Sequence, residues 1–443
     1  MSRYTKEDIF RIVEEENVEF IRLQFTDMLG VLKNVAITAK ELEKALNNRI
    51  MFDGSAIEGF VGVEESDLCL HPDPDTFAIF PWRPQQGRVA RFLCDIYYPD
   101  GTPFEGDSRR VLKEVLSRSR EKGCSFLVGP ECEFFLYHLD EYGQPTTITH
   151  EKAGYFDVSP SDLGENARRD IIMTMEEMGY RIDASHHEFA PGQHEIDLHY
   201  SEALYAADMI TTFRLAARTV AKRHGLCATF MPKPKSGVHG SGMHINLSAV
   251  KDGVNLFEDE NDPNGLSREA YWFIGGIMKH IPAITAVANP VINSYKRLAS
   301  GYEAPKEISW SLKSRSILIR IPAARGFHTR IELRSPDSAS NPYLTLALCI
   351  EAGMDGISNR IDPPGPVEES TEPGTGQSRT DTGVRMLPMT LKEAMEALRD
   401  DPCMRGVLGE HLFRKMYDRK NEEWQTYLQQ VSEWEIDRYL SRM

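Results

Sequence analysis

Gly129-Pro130-Glu131-Cys132-Glu133-Phe134-Phe135-Leu136-Tyr137 is the stretch on which the reading of the chain turns. Side chains of a β-strand alternate between faces with a period of two, so Glu131 and Glu133 point to the same side. Neighbouring carboxylates repel each other. The pair persists where a cation or a proton offsets that repulsion, which makes a divalent metal the natural reading. The plain alternative is an exposed strand face.

Working outward, Ser185-His186-His187-Glu188-Phe189-Ala190-Pro191-Gly192-Gln193-His194-Glu195-Ile196-Asp197 sets Pro-Gly between two acidic stretches. A hairpin there brings Glu188 and Glu195 together, although a solvated hairpin would look similar. In Gly240-Ser241-Gly242-Met243-His244-Ile245-Asn246-Leu247-Ser248, apolar Met243, Ile245 and Leu247 face one way and His244, Asn246 and Ser248 the other. The glycines allow backbone amides to approach a ligand, and an imidazole beside amide and hydroxyl groups serves a metal or a nucleotide. We assign Asn246 and Ser248 to the nucleotide.

Five arginines, Arg315, Arg320, Arg325, Arg330 and Arg334, fall within one short segment of an otherwise acidic chain. Arg330, Glu332 and Arg334 alternate with Ile331 and Leu333, which predicts one carboxylate between two guanidiniums on a strand face. The planar donor fork of arginine suits carboxylate and phosphate. A surface ladder of ion pairs is the competing reading. Together the segments offer five carboxylates and one imidazole to divalent ions, and hard oxygen donors favour Mg²⁺ or Mn²⁺ over zinc. Metals and arginines in that combination suit phosphoryl transfer.

The chain as a whole bounds what these residues can serve. At 443 residues it exceeds the size at which one core stops growing, so two domains are expected, divided at the turn-rich Asp100 to Asp107 into 1–102 and 103–443. A net charge of −16 argues against nucleic acid or an anionic membrane as the main partner. Seven scattered cysteines without CxxC spacing fit a reducing cytoplasm, and no stretch approaches the length of a membrane span. Thr5 and Asp8 predict a helix cap ahead of a short helix over 6–16, and strands are expected over 19–25 and 32–37. Thr390 and Glu393 have the spacing of a second capping box, and Asp362 to Thr382 is expected to be an exposed, mobile loop.

These segments resemble bacterial-type glutamine synthetase, of the form found in Gram-positive organisms. The resemblance rests also on Met51-Phe52-Asp53-Gly54-Ser55, Glu65-Ser66-Asp67, Asn293 to Pro305, Ile319 to Pro322 and Asn341-Pro342-Tyr343-Leu344, and it covers essentially the whole chain. It implies an α+β protein, with a small N-terminal β-grasp domain and a large catalytic domain whose curved antiparallel sheet is flanked by helices. It also implies that Glu133, Glu188 and Glu195 hold one ion near glutamate, and that Glu131, His244 and Glu332 hold another near the phosphates of ATP. The implied reaction activates the γ-carboxylate of glutamate as γ-glutamyl phosphate, from which ammonia displaces phosphate.

By the same resemblance Gly240, Arg297, Arg315 and Arg334 bind substrate, and Arg320 contacts the transferred phosphoryl group. Asp53 binds ammonium and helps remove its proton, and Glu303 belongs to a flap that closes the site. Asp53 would reach a neighbouring subunit's catalytic domain within a dodecamer of two hexameric rings. The chain departs from the family at His239, where asparagine is usual, at Ala56 and at Ser314. Two other readings keep the same residues: a ligase joining glutamate to a larger amine, and a regulatory relative that binds a nitrogen-regulatory transcription factor.

Overall fold

The computed structural model describes residues 3–83, 86–367 and 385–443. The expected first helix, α1 (Lys6–Glu15), carries a complete capping box between Thr5 and Asp8 and buries Ile9 and Val13. Behind it lies a sheet of β1 (Val18–Thr26), β2 (Leu32–Thr38), β3 (Ile50–Asp53), β4 (Asp67–Pro72), β5 (Ala78–Ile79) and β6 (Arg88–Tyr97), with α2 (Leu42–Leu46) packed alongside. Its order is β2-β1-β6-β4-β3, with β5 also on β6. The central β1 and β6 run parallel, and every other pair is antiparallel. Ile21, Leu23 and Phe25 enter one core with Phe60, Leu68, Phe92 and Phe104, as the period-two pattern requires.

The second unit opens with α3 (Ser108–Glu121), capped by Asp107, and the long strand β7 (Ser125–His138). Next come α4 (Glu165–Glu177), β8 (Ile182–His187), β9 (Gln193–Leu198), β10 (Ser201–Glu202), α5 (Ala203–Arg223), β11 (Leu226–Thr229), β12 (Met243–Lys251) and β13 (Val254–Asn255). The remaining elements are α6 (Arg268–Ala288), α7 (Ile292–Ser300), β14 (Trp310–Ser311), β15 (Ile319–Arg320), β16 (Ile331–Leu333), α8 (Pro342–Asn359), α9 (Leu391–Asp400), α10 (Pro402–Leu428) and α11 (Glu433–Tyr439). Ten strands form one sheet with the path β14-β15-β16-β12-β7-β9-β8. It is antiparallel except for the parallel β14–β15 pair. One face of β7 and β12, with Phe126, Val128, Cys132, Phe134, Met243, Ile245 and Leu247, packs on the helices. The other face is left to the polar residues of the same strands.

Two local expectations need adjustment. Thr390 caps α9 by accepting from the Glu393 amide, but the Glu393 carboxylate accepts from the Met389 amide at 2.8 Å, so the reciprocal half of the box closes one residue early. Of the loop expected over 362–382, residues 368–382 lie outside the described residues. No helix among the described residues is long and apolar enough to cross a membrane.

Buried polar groups fix the two sheets to each other. Arg109 on α3 donates to Asp208 of α5 at 3.0 and 2.9 Å, to Asp95 of β6 at 2.8 Å and to Asp73 at 2.7 Å. Tyr343 adds its hydroxyl to Asp208 at 2.8 Å. Asn341, which caps α8, sends its amide nitrogen to the carbonyls of Asp27 and Met28 in the N-terminal unit. A charge this deeply buried is tolerable only when paired, so removing one partner strands the rest. Arg109→Ala is expected to lower stability by about 3–5 kcal/mol, measured by denaturant unfolding, and a loss under about 1 kcal/mol would show that the network is dispensable.

Candidate active site

Strand register assembles the polar face. Glu131 pairs with His244 of β12 on one side and with Asp197 of β9 on the other, while Glu133 pairs with Glu195. Glu332 of β16 pairs with Asn246 of β12 and with Arg320 of β15. Because residues paired across strands face the same side, and positions two apart on one strand share that side, their side chains converge on one face of the sheet. The turn between β8 and β9 then returns Glu188, whose amide donates to the Gln193 carbonyl at 2.8 Å, as expected of a hairpin.

Three groups of donor atoms result, each within 4.8 Å: Glu131, His244 and Glu332; Glu133, Glu195 and His244; and His186, Glu188 and Glu195. His244 Nδ1 lies 3.0 Å from Glu131 and Nε2 3.8 Å from Glu133, so this imidazole sits between the groups. Burial, and then the nearby charge of Glu133, pushes the Glu188 carboxyl up to about 9. Glu195 is pushed well above the carboxylate range for the same reasons. Glu131 is only partly buried, and although burial still opposes its charge, the hydrogen bonds and charge of His244, with Asn246, hold it at about 2. Such a donor set fits divalent cations. It is rich in hard oxygens, and its carboxylates are driven toward protonation where no positive charge reaches them.

The arginines are arranged differently from the sequence expectation. Glu332 is fully buried between two guanidiniums, but the second belongs to Arg320 on the neighbouring strand, not to Arg330. Arg320 Nε reaches Glu332 Oε2 at 2.6 Å, Arg334 Nη1 donates to Oε1, and Arg330 Nε donates instead to the Asn246 amide oxygen at 3.0 Å. Alternation along one strand cannot show what the adjacent strand contributes. Arg334 also faces Glu303 at 3.7 Å. Arg315 is exposed near Tyr155. Arg297 is buried, and its guanidinium donates to the carbonyls of Ser335, Pro336 and Arg334 at 2.7, 3.3 and 3.1 Å.

Gly240 and Gly242 lie over that arginine. A Cβ at Gly240 would stand 2.4 Å from the Pro232 carbonyl, and one at Gly242 2.5 Å from Arg297, so the loop can approach only as glycine. Asn246 donates to Glu131 at 2.9 Å and to the Gly129 carbonyl at 3.1 Å. Together with Glu131, Asp197, Tyr200 and Arg330 it lines a cavity of about 500 Å³. Ser248 is fully buried behind this cavity and hydrogen-bonded to Tyr200. Asp53 stands apart, exposed on the edge strand β3 and bonded to Ser55, whose hydroxyl and amide hold its carboxyl below the usual range.

Sequence reasoning passed over three residues that the fold brings in. Gln193 donates to Glu133 at 3.0 Å and to the Gly240 carbonyl at 3.1 Å. His186 bridges Glu188 and Glu195 at 3.3 and 3.4 Å. Burial, then Glu131, raises Asp197 to about 7. The signal for Asp197 was its period-two spacing from Glu195. Behind the hairpin, His187 donates to Glu151 at 2.8 Å and to the Glu188 carbonyl at 2.6 Å, which fixes the backbone that presents Glu188.

With this geometry in view, the chain was compared with known proteins. Residues 17–99 match the family described as glutamine synthetase, beta-Grasp domain, and residues 105–439 match glutamine synthetase, catalytic domain. The chain belongs to the glutamine synthetase family. It is 56% identical over 442 residues to the glutamine synthetase of Clostridium saccharobutylicum, covering 100% of each chain, and 53% identical over 440 residues to that of Staphylococcus aureus strain N315, covering 99% of each. Among solved structures, an ADP complex of GmaS shares 33% identity with a TM-score of 0.89, over 98% of this chain and 99% of that one. The Plasmodium falciparum glutamine synthetase shares 26% identity with a TM-score of 0.87, over 99% of each chain. The protein is therefore a glutamate–ammonia ligase, forming glutamine from glutamate, ammonia and ATP, and as a member of that family it uses a divalent metal.

The raised carboxyls have a consequence for the metal-free protein. The folded state holds protons on Glu188 and Glu195 that the unfolded chain releases near pH 4.5, so folding stability falls as pH rises from there toward about 9, where Glu188 is half ionised. In EDTA the Tm at about pH 8.5 should lie below that at about pH 6. A divalent cation at about 100 times its Kd should restore about 2.7 kcal/mol and release protons as it binds. Equal Tm values at the two pH values, with no proton release, would contradict this reading.

Proposed function

We propose that the six ligands divide into two ion sites per subunit, filled by Mg²⁺ or Mn²⁺. Glu133, Glu188 and Glu195 form the site beside glutamate, and Glu131, His244 and Glu332 the site beside the ATP phosphates. The observation that carries the division is the strand register, which lines up Glu131 with His244 and Glu133 with Glu195. Bound there, the ions supply charge neutralisation for phosphoryl transfer. The chain's own residues do the remaining work.

Arg320 and Arg334 grip Glu332 from both sides and present their remaining donors to the transferred phosphoryl group. Arg315 binds substrate from the opposite rim, next to Tyr155. Gly240 offers its backbone to glutamate, and Arg297, which lies directly beneath that loop and is held by three carbonyls, binds substrate with it. Asn246 orients Glu131 at the mouth of the nucleotide cavity, and Ser248 braces its wall through Tyr200. Glu303, which carries a left-handed φ of 55° beside Arg334, closes over the acyl phosphate and keeps water from it. Asp53 receives a proton from ammonium, freeing the nitrogen lone pair to attack the activated γ-carbon as phosphate leaves. Asp53 is exposed at a sheet edge, which supports its serving a neighbouring subunit in a cytoplasmic dodecamer of two stacked hexameric rings.

Two measurements test this assignment. Glu133→Ala should reduce glutamine formation by at least about 100-fold, some 2.7 kcal/mol in the barrier, while the fold is retained. Wild-type turnover in this variant would remove Glu133 from the metal site. Co-assembly of two inactive variants, Asp53→Ala and Glu133→Ala, should recover roughly a quarter of wild-type activity if sites are shared between adjacent subunits. No recovery in verified mixed oligomers would place Asp53 outside a shared site.

A further inference from the structure

Where the outer face of β1 and β2 meets α5, a cavity of about 680 Å³ opens, lined by Arg22, Arg83, Arg218, Lys222 and Arg223 and by no acidic residue. On α5, Leu215, Arg218, Thr219 and Lys222 recur at helical spacing and form one stripe. Arg22 projects from β1 on the side opposite Ile21 and Leu23, which enter the N-terminal core. The stacked rings of Phe80 and Trp82, 4.5 Å apart at 19°, complete the wall. None of the glutamates of the catalytic cluster borders it.

We infer that this cavity is a second ligand site, built for a small polyanion of the oligophosphate class. The chain has 67 acidic against 51 basic residues, so five cations gathered without an acidic neighbour run against its overall composition. Like charges so gathered repel, and an anion relieves that repulsion just as a cation relieves it among the glutamates. The guanidiniums are also held in place without being neutralised. Arg22 donates to the Asn34 amide oxygen at 3.3 Å, Arg223 donates to the Trp82 carbonyl at 2.6 Å, and Arg218 lies 5.2 Å from the centre of the Phe230 ring. All three partners are neutral, and among the described residues none of the five cations has a carboxylate within ion-pair distance.

Arg109 shows the contrast, since its guanidinium is consumed by three aspartates. Arginines fixed by neutral acceptors keep both their charge and their free donors for a phosphate. The cavity volume accommodates a di- or triphosphate with its hydration. Because one wall is N-terminal sheet and the other is α5, an occupant would tie the two units together and stabilise their packing.

Calorimetric titration of the full-length protein with tripolyphosphate, in about 150 mM salt, tests the site. About one ion should bind per chain, in EDTA as well as in buffer, and equally to the Glu133→Ala variant. Arg218→Glu and, independently, the exposed substitution Lys222→Glu should weaken this binding at least tenfold while leaving glutamine formation intact. Binding that disappears in EDTA or in Glu133→Ala would place the ion in the catalytic site and overturn the proposal. So would undiminished binding to Lys222→Glu, or no binding to the wild-type protein. Citrate competing as strongly as tripolyphosphate would overturn the oligophosphate class.

Discussion

Glu332 has no access to solvent, and its two oxygens are taken by Arg320 and Arg334. A lone carboxylate could not remain ionised at such a depth, and two guanidiniums beside one carboxylate leave a net positive charge facing the glutamates of β7 and β9. The polar face of the sheet is therefore organised as opposed blocks, with arginine on the β15–β16 side, carboxylate on the β7–β9 side and His244 between them. The order of the strands keeps the blocks apart. Exchange of β16 with β9 would leave the carboxylates without a nearby cation and the arginines with no anion to hold them.

How far this was visible in the chain itself depended on the range of the interaction. The period-two spacing of Glu131 and Glu133, the Pro-Gly turn before Glu195 and the alternation of Met243 to Ser248 are local, and each yielded a strand or hairpin where one was expected. Partnerships across strands were not visible. Arg330 was set beside Glu332 because they are near in sequence, whereas Arg320 stands opposite it through registry with β15. Arg297 was singled out by resemblance alone, and only the fold shows the three carbonyls to which its guanidinium donates. The ion pairs of Arg109 join residues as far apart as 99 positions, a separation at which no periodicity operates.

His239, the departure from the family pattern beside Gly240, has an environment that explains its tolerance. Its ring stacks on Phe189 at 4.5 Å and leans on Tyr302 at 5.0 Å, and Phe189 in turn lies flat on Tyr155 at 4.3 Å. Burial holds the imidazole below its ordinary pKa, which suits a neutral ring among aromatics. The residues flanking this row are Glu188, Glu303 and Gly240. The substitution thus joins the hairpin, the segment before Glu303 and the glycine loop through ring contacts, where asparagine could offer only hydrogen bonds.

β7 carries Glu131 and Glu133 on one side and Cys132 and Phe134 of the main core on the other. Site and core are thus two sides of one ribbon, and the ribbon has only two settings. A single residue inserted or deleted between Gly129 and Phe134 would turn the glutamates toward the helices and the aromatic side chain toward the polar face of the sheet. Single-residue length changes are therefore closed to this strand, while point substitutions remain open to it. Insertions and deletions can accumulate only in the loops that join the strands.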